Sequence, residues 1–508
     1  MTRARSPIRP GGEAVQLAGV LLLAVLFRWE LLGLRSLWFD EGYSLAVASL
    51  PPREILQFLR SNDAHPAGYY LLLSWWLRVV GRDLTLLRLP SLVAGLGSVI
   101  VTWLLARRWC GTRAALLAAG LVALNPFHVY ASNELRMYAP LGLAVLLAVL
   151  FLDRALDEGR VVWWLGYGLC VAAAAYLSYF AALAVLPQVG WVLTRREPKS
   201  QRGLLLALAV AAVLYLPWVP YLPGLVARNP QQWVLRPPVQ GHGVLPYALS
   251  ILTSHAYGGY LPNTVTYHRG SLIVAPYLPP LLPFAAAWGL GVAALARNRG
   301  AQAVAVWVWG VGLVLAASVA VGREVAYPRN LVFLQPLAAV VAAAGVVEAG
   351  KRFGPRAGQL AAGGLAFAAL GICLAGLQNL QSGRPEFDRY RFDRAGRFVS
   401  ERLRPDDLIV YFPTGVEHAF GYYLDRPARA VSLMLRVEQW REAEVASLAG
   451  RLDPFLQEIK GRVWVVTSLP GGWARLVGPL LRRLEERGLR RAEARDFLGV
   501  QVLLYTRR

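Results

Sequence analysis

The sequence predicts a polytopic α-helical membrane protein with a small α/β domain at its C-terminus. Three observations point there. The 508 residues are 56% hydrophobic and only 17% charged, whereas about a quarter of an ordinary soluble chain is charged. Several apolar runs reach the roughly 20 residues that a spanning helix needs. After Leu380 the composition becomes rich in Arg, Asp and Glu, and short apolar runs alternate with amphipathic stretches, the pattern of strands separated by helices.

Charge and cysteine usage exclude several classes. The net charge is +22, yet the arginines fall in short clusters between apolar runs rather than along one soluble face. Positive-inside topology accounts for such clusters, so no nucleic-acid partner is expected. Cys110, Cys170 and Cys373 lie in or beside apolar runs without metal-ligand spacing, so neither a disulfide framework nor a zinc site is expected. The opening MTRARSPIRP is basic like a signal peptide, but the apolar run after it is too long and has no small-residue cleavage site, which favours a retained first helix.

That first helix covers about Val15 to Leu34. With Arg3, Arg5 and Arg9 holding the N-terminus in the cytoplasm, it delivers the stretch SLWFDEGY, Ser36 to Tyr43, to the outer face. Adjacent carboxylates at a membrane surface need a partner or a water-filled cleft, so Asp40 and Glu41 are candidate functional residues. The alternative is an ordinary hydrated helix end. The loop PPREILQFLRSNDAHPAG leads into YYLLLSWWLRVVG, Tyr69 to Gly81. At about 13 residues this segment falls short of a span, and its Trp75, Trp76 and Arg78 suit an interfacial helix.

Treating that segment as interfacial makes residues 84–106 run inward. Further apolar runs follow near 114–131, 138–152, 161–178, 180–193, 203–221, 272–296, 301–321, 329–348 and 359–378, giving about eleven spanning helices. The inward loops then hold Arg107, Arg108 and Arg113; Arg154 and Arg160; Arg195, Arg196, Lys199 and Arg202; Arg297 and Arg299; and Lys351, Arg352 and Arg356. Each is basic as the positive-inside rule requires, although Asp153, Asp157 and Glu158 offset the second. The same count gathers the polar groups that look like chemistry on the outer face with Asp40: Glu134 and Arg136 in ASNELRMYAP, the turn at 178–180, the loop 222–271, and Arg323 and Arg329 in GREVAYPRN. Residues 1–380 form the expected transmembrane domain. Residues 381–508, with strands expected at DLIVYF, GRVWVVTSL and GVQVLLYT and a helix at PLLRRLEERGL, form the expected extracytoplasmic domain.

An external membrane face has no ATP or nucleotide sugar, so an activated group there arrives on a lipid carrier. Head-group transfer from a lipid phosphate needs a carboxylate to take a proton, cations to hold the leaving phosphate, and a cleft for the tail. Asp40 and Glu41 offer the carboxylate. His65, in DAHPAGYY, reads either as a phosphate contact or as a turn residue set by Pro66, and Arg136 either as a phosphate contact or as the local ion-pair partner of Glu134. Arg323 and Arg329 read either as snorkelling to headgroups or as bidentate phosphate ligands. His255 and His268 fall with Tyr257, Tyr260 and Tyr267 in a stretch read either as a carbohydrate-stacking surface or, in preference, as a flexible interfacial loop. Adjacent Asp and Glu point apart and no third carboxylate matches them, so no required cofactor or divalent metal is expected.

The outer-loop DE pair, then H-P-x-x-Y-Y opening an interfacial helix with Tyr69, then R-M-Y ending at Tyr138, resembles the lipid-dependent glycosyltransferases of the GT-C superfamily. The branch is family 39, the protein O-mannosyltransferases and aminoarabinose transferases. The similarity covers roughly residues 13–350. It implies a GT-C fold and inverting transfer from a polyprenyl-phosphate sugar at the outer face of the plasma membrane, with Asp40 as base. Where the aminoarabinose transferases carry a phosphate-binding lysine this chain has His65, which shifts the phosphate toward Arg136 or Arg329. An aspartate of those relatives near residues 137–140 is missing, and Glu134 is its candidate substitute. The acceptor stays open. A transporter or flippase is the rival reading, but transporters place ionisable groups near the midplane on broken helices, whereas here they gather at one interface.

Overall fold

Backbone polar groups in hydrocarbon must be satisfied within their own segment, so the apolar runs rich in Leu, Val and Ala become helices. The computed structural model describes residues 10–62, 65–223, 244–258, 278–296, 300–322, 324–352, 355–381, 390–413, 415–433, 448–459, 461–468 and 476–507. In chain order the first helices are α1 (Pro10–Leu34), α2 (Phe39–Ala48), α3 (Pro52–Asn62), α4 (Gly68–Val80), α5 (Leu84–Leu87) and α6 (Leu89–Cys110). There follow α7 (Thr112–Leu124), α8 (Pro126–Ala131), α9 (Tyr138–Glu158), α10 (Val161–Leu177), α11 (Ala182–Thr194) and α12 (Pro198–Tyr215). Then come α13 (Val244–Tyr257), α14 (Leu278–Leu295), α15 (Ala301–Val321), α16 (Gln335–Arg352) and α17 (Pro355–Gln381).

The chain divides into two units, Met1–Gly33 with Pro52–Ser382, and Leu34–Pro51 with Gly383–Arg508. The segment carrying Asp40 therefore goes with the C-terminal unit, although it precedes most of the transmembrane helices in sequence.

Among the described residues, eight segments are long and apolar enough to cross a membrane: Gly12–Leu34, Leu89–Cys110, Tyr138–Glu158, Pro198–Tyr221, Leu278–Leu295, Ala301–Val321, Pro328–Arg352 and Pro355–Gln378. Three shorter apolar helices, Thr112–Leu124, Val161–Leu177 and Tyr179–Thr194, fall at the remaining expected positions. The chain is an integral membrane protein. Pro328–Arg352 is 89% buried and Pro355–Gln378 only 17%, so the former is the bundle's central element. Its helix α16 packs against α6, α7, α14, α15 and α17.

Polar pins cross this apolar unit. The chain breaks at Asn125–Pro126, because a residue before proline is pushed out of the α region, and the last carbonyls of α7 lose their helical donors. Arg28 of α1 supplies them: Nη1 donates to Ala123 O at 3.0 Å and Nη2 to Val122 O at 3.3 Å. Nη2 also lies 3.0 Å from His128 Nδ1; arginine only donates, so that nitrogen is the acceptor. Asn125 accepts from His128 N and donates to His255 O and Ala256 O.

His255 lies in α13, fully enclosed, where a flexible loop is the sequence expectation. Trp307 Nε1 donates to its Nδ1 at 3.2 Å and its Nε2 donates to Leu331 O at 3.0 Å. Both ring nitrogens are thus committed in the neutral form, which removes His255 from the sugar-stacking candidates. His268, Tyr260 and Tyr267 lie outside the described residues. Elsewhere Asp153 accepts from Arg108 Nε at 2.6 Å and from Trp109 Nε1 at 3.1 Å, so part of the acidic offset in its loop is internal pairing.

The second unit adds α18 (Phe392–Ser400), α19 (Val416–Gly421), α20 (Asp453–Glu458) and α21 (Gly478–Glu486) around one sheet. Strands β1 (Leu408–Phe412), β2 (Arg429–Ser432), β3 (Val463–Thr467), β4 (Leu489–Phe497) and β5 (Val500–Arg507) lie in the order β2-β1-β3-β5-β4. β1 runs parallel to β2 and β3, with Val410 opposite Val465, and β5 runs antiparallel to β3 and β4. The three inner strands are the three legible as apolar runs. The edges β2 and β4 are mostly exposed and rich in arginine, a composition that blunts pairing with another chain and hides a strand from an apolar-run reading.

Candidate active site

The acid pair occupies the first turn of α2, where aligned peptide dipoles favour negative charge. The two carboxylates are placed differently. Glu41 is fully buried, and its Oε2 accepts from the backbone N–H of Trp38 at 3.4 Å, as a third-position glutamate does in a capping box. Asp40 is half-buried, and its backbone carbonyl accepts from Ser44 Oγ at 2.7 Å. Glu41 thus closes the helix start, and Asp40 stands half-buried one residue before it.

The basic residues assemble in the first unit. Gly68 opens α4 because a Cβ there would come within 2.5 Å of Tyr176 O, so H-P-A-G brings α4 directly against α10. Tyr69 and Tyr70 are buried, their rings edge to face at 6.4 Å. Between α8 and α9 the chain makes a turn in which Ser132, Asn133, Glu134, Arg136 and Met137 are all buried. Ser132 Oγ donates to His128 O, Asn133 Nδ2 to Val129 O, and Ser91 Oγ to Glu134 O at 2.6 Å. This turn aims Arg136 so that Nη2 lies 3.4 Å from His65 Nε2, with Cζ 5.8 Å from the Tyr138 ring.

Residues remote in sequence thus meet: His65, Arg136 and Tyr138 form one cluster, with Tyr69 the second residue of the helix that His65 precedes. Arg329 sits in the 3-10 turn Pro328–Leu334, its Cζ 5.3 Å from the Tyr327 ring, and that turn packs against α8 and α9. Arg323 lies outside the described residues. Among the described residues no group of three or more His, Cys, Asp or Glu is placed to hold a metal ion.

Sequence reasoning passed over Arg28, and also Arg88, whose buried Nη1 donates to Leu32 O at 2.8 Å near the end of α1. An arginine interrupting an apolar run is the signal that could have found Arg28. Tyr423, whose hydroxyl accepts from Leu37 N at 2.8 Å, had no such signal, because the two lie in distant parts of the sequence.

ArnT from Cupriavidus metallidurans in its apo state superposes with a TM-score of 0.60 at 16% identity, covering 97% of this chain and 98% of that one. This is the GT-C fold. ArnT bound to undecaprenyl phosphate gives 0.60 at 15% identity over 98% of each chain. The Archaeoglobus fulgidus oligosaccharyltransferase gives 0.53 at 14% identity, over 92% of this chain and 70% of that one. Within the GT-C fold, residues 64–221 match the family described as dolichyl-phosphate-mannose-protein mannosyltransferase, and that span contains the whole His65–Arg136–Tyr138 cluster. "Putative mannosyltransferase YkcB" of Bacillus subtilis is 26% identical over 214 residues, 39% of this chain and 30% of that protein. The match thus takes in less than a third of that relative's length.

Proposed function

We propose that the chain is a membrane glycosyltransferase that moves a sugar from a polyprenyl-phosphate donor to an acceptor at the extracytoplasmic face, with inversion. The observation that carries this reading is Arg136 beside His65 on a buried, hydrogen-bonded turn: a fixed guanidinium is what a phosphate monoester leaving group needs. The family match over the same residues and the GT-C fold support it, as does the binding of undecaprenyl phosphate by ArnT. In the proposed step Asp40 takes the proton of an acceptor hydroxyl, the acceptor oxygen bonds to the anomeric carbon from the face opposite the lipid, and the carbon–oxygen bond to phosphate breaks. The electron pair leaves on the lipid phosphate, whose charge Arg136 neutralises. His65 contributes a lone pair or a proton but no fixed charge, so the guanidinium carries the electrostatics.

The test is transfer by purified protein supplied with undecaprenyl-phosphate sugars, read by mass analysis of the products. Asp40→Asn should abolish turnover while leaving lipid-phosphate binding intact. Near-normal turnover in that variant rules Asp40 out as the base, and no transfer from any lipid-linked sugar by the unaltered protein rules out the reaction.

A further inference from the structure

We infer that the C-terminal unit is the positioning element for the acid pair, holding the turn and helix that carry Asp40; as a statement about catalysis this rests on the glycosyl-transfer reading above. The contacts are specific and join segments more than 350 residues apart in sequence. On the approach to α2, Leu37 is fully buried and its backbone N–H is accepted by the Tyr423 hydroxyl at 2.8 Å. Ser36 Oγ accepts from the backbone N–H of Asp393, the second residue of α18, at 3.2 Å. Phe39, immediately before Asp40, meets Tyr390 and Phe392 edge to face at 5.0 and 5.5 Å.

The helix itself is docked by its glycine. A Cβ on Gly42 would lie 2.5 Å from Ala419 N and 2.7 Å from the His418 carbonyl carbon, so α2 and α19 touch backbone to backbone. One residue on, the Tyr43 ring meets the His418 imidazole at 5.8 Å. In D-E-G-Y, then, Gly42 and Tyr43 fasten the helix and Glu41 closes its first turn, so three of the four residues hold in place the one proposed as the base. A general base must be held within hydrogen-bond reach of its proton, and misplacement by about 1 Å can cost about 100-fold in rate. Here the unit that fixes Asp40 is built from the far end of the chain.

Two variants of the full-length protein in detergent test this. Tyr423→Phe keeps the ring and removes the hydroxyl, and Gly42→Ala inserts a methyl against backbone. Both are expected to raise amide exchange across residues 36–48 at least tenfold and to lower kcat about tenfold or more, while KM for the lipid-linked donor stays within twofold. Ala419→Gly should not rescue Gly42→Ala, because the obstacle is a main-chain nitrogen. Unchanged exchange or unchanged kcat in both variants overturns the inference. Parallel losses of kcat and donor affinity with a lowered unfolding temperature also overturn it, since that is the mark of a general structural role. Failure of the underlying reading is distinguishable: an active Asp40→Asn sinks the base assignment whatever the exchange data show.

Discussion

Nε2 of His65 stands 3.4 Å from Nη2 of Arg136. Because the guanidinium can only donate, the imidazole offers its lone pair there, and the fixed positive charge of the pair resides on Arg136. A hydrogen bond to a charged group contributes about 1.5–3 kcal/mol, or about 10–150-fold. Arg136→Ala should therefore slow transfer from a lipid-linked donor by roughly that factor. Arg136→Lys should recover only part, since an ammonium cannot grip two phosphate oxygens with the guanidinium's fork. His65→Ala should cost less than Arg136→Ala. Initial rates over a donor series give the answer, and equal rates in Arg136→Ala and the unaltered protein would take the phosphate away from this cluster.

The acid pair should divide under substitution. Glu41 is buried and its carboxylate closes the start of α2 on Trp38 N, a task that glutamine also performs in a capping box. Glu41→Gln is thus expected to keep most of the activity, and Glu41→Ala to lower stability by about 1 kcal/mol through loss of the cap. Asp40→Asn, which keeps shape and removes basicity, should do the reverse: normal unfolding and no turnover. If Glu41→Gln is the inactive variant and Asp40→Asn the active one, the assignment of roles is inverted.

The helices were legible because a lipid-facing or bundle-facing span must be apolar along its length, the inner strands because both their faces are covered, and the motifs around Asp40, His65 and Arg136 because charge beside a membrane run is costly. What the sequence did not show depends on long-range partners. Nothing in the sequence sets Gly42 apart until Ala419 is beside it, and His255 reads as part of a flexible interfacial loop until Trp307 and Leu331 take both its nitrogens. The grouping of residues 34–51 with the C-terminal unit follows from the same cause: a contact such as that of the Leu37 main-chain N–H with the Tyr423 hydroxyl leaves no periodicity in either segment.

Acid should loosen the C-terminal unit through Asp407. Its side chain is fully enclosed and accepts from Arg462 Nη2 at 2.8 Å, Trp464 Nε1 at 2.9 Å and Arg404 N at 2.9 Å. Burial pushes its carboxyl up, but the hydrogen bonds from Arg462, Trp464 and Arg404 N outweigh it and hold the group below the ordinary carboxylate value. A carboxyl depressed in the folded state adds stability that is present above its unfolded pKa, about 3.9, and is lost as pH falls through the folded value. Exchange protection in residues 404–412 and 462–467 should therefore drop steeply below about pH 4. Asp407→Asn should flatten that dependence and lower protection at neutral pH. A variant with unchanged protection across the range would show that the contacts of Asp407 add nothing.

Arg28 gives the sharpest contrast between structural and functional readings. An ionisable residue inside a membrane run is by default a functional candidate, and on that view its removal should slow transfer without affecting stability. Its geometry argues otherwise. Nη1 and Nη2 together serve Ala123 O and Val122 O, the carbonyls that the Asn125–Pro126 break strands at the end of α7, and His128 Nδ1 in α8. Arg28→Met keeps the apolar stem and removes every donor, leaving those acceptors without that partner at about 1–3 kcal/mol each. Loss of folded protein on heating in detergent, well below the midpoint of the unaltered chain, is the expected result. Arg28→Lys should fall between, because a single ammonium cannot spread over the end of α7 and His128 as the planar fork does. Were Arg28→Met to unfold like the unaltered protein and only its transfer rate to suffer, the capping role would be wrong and a place for Arg28 in the chemistry would have to be found.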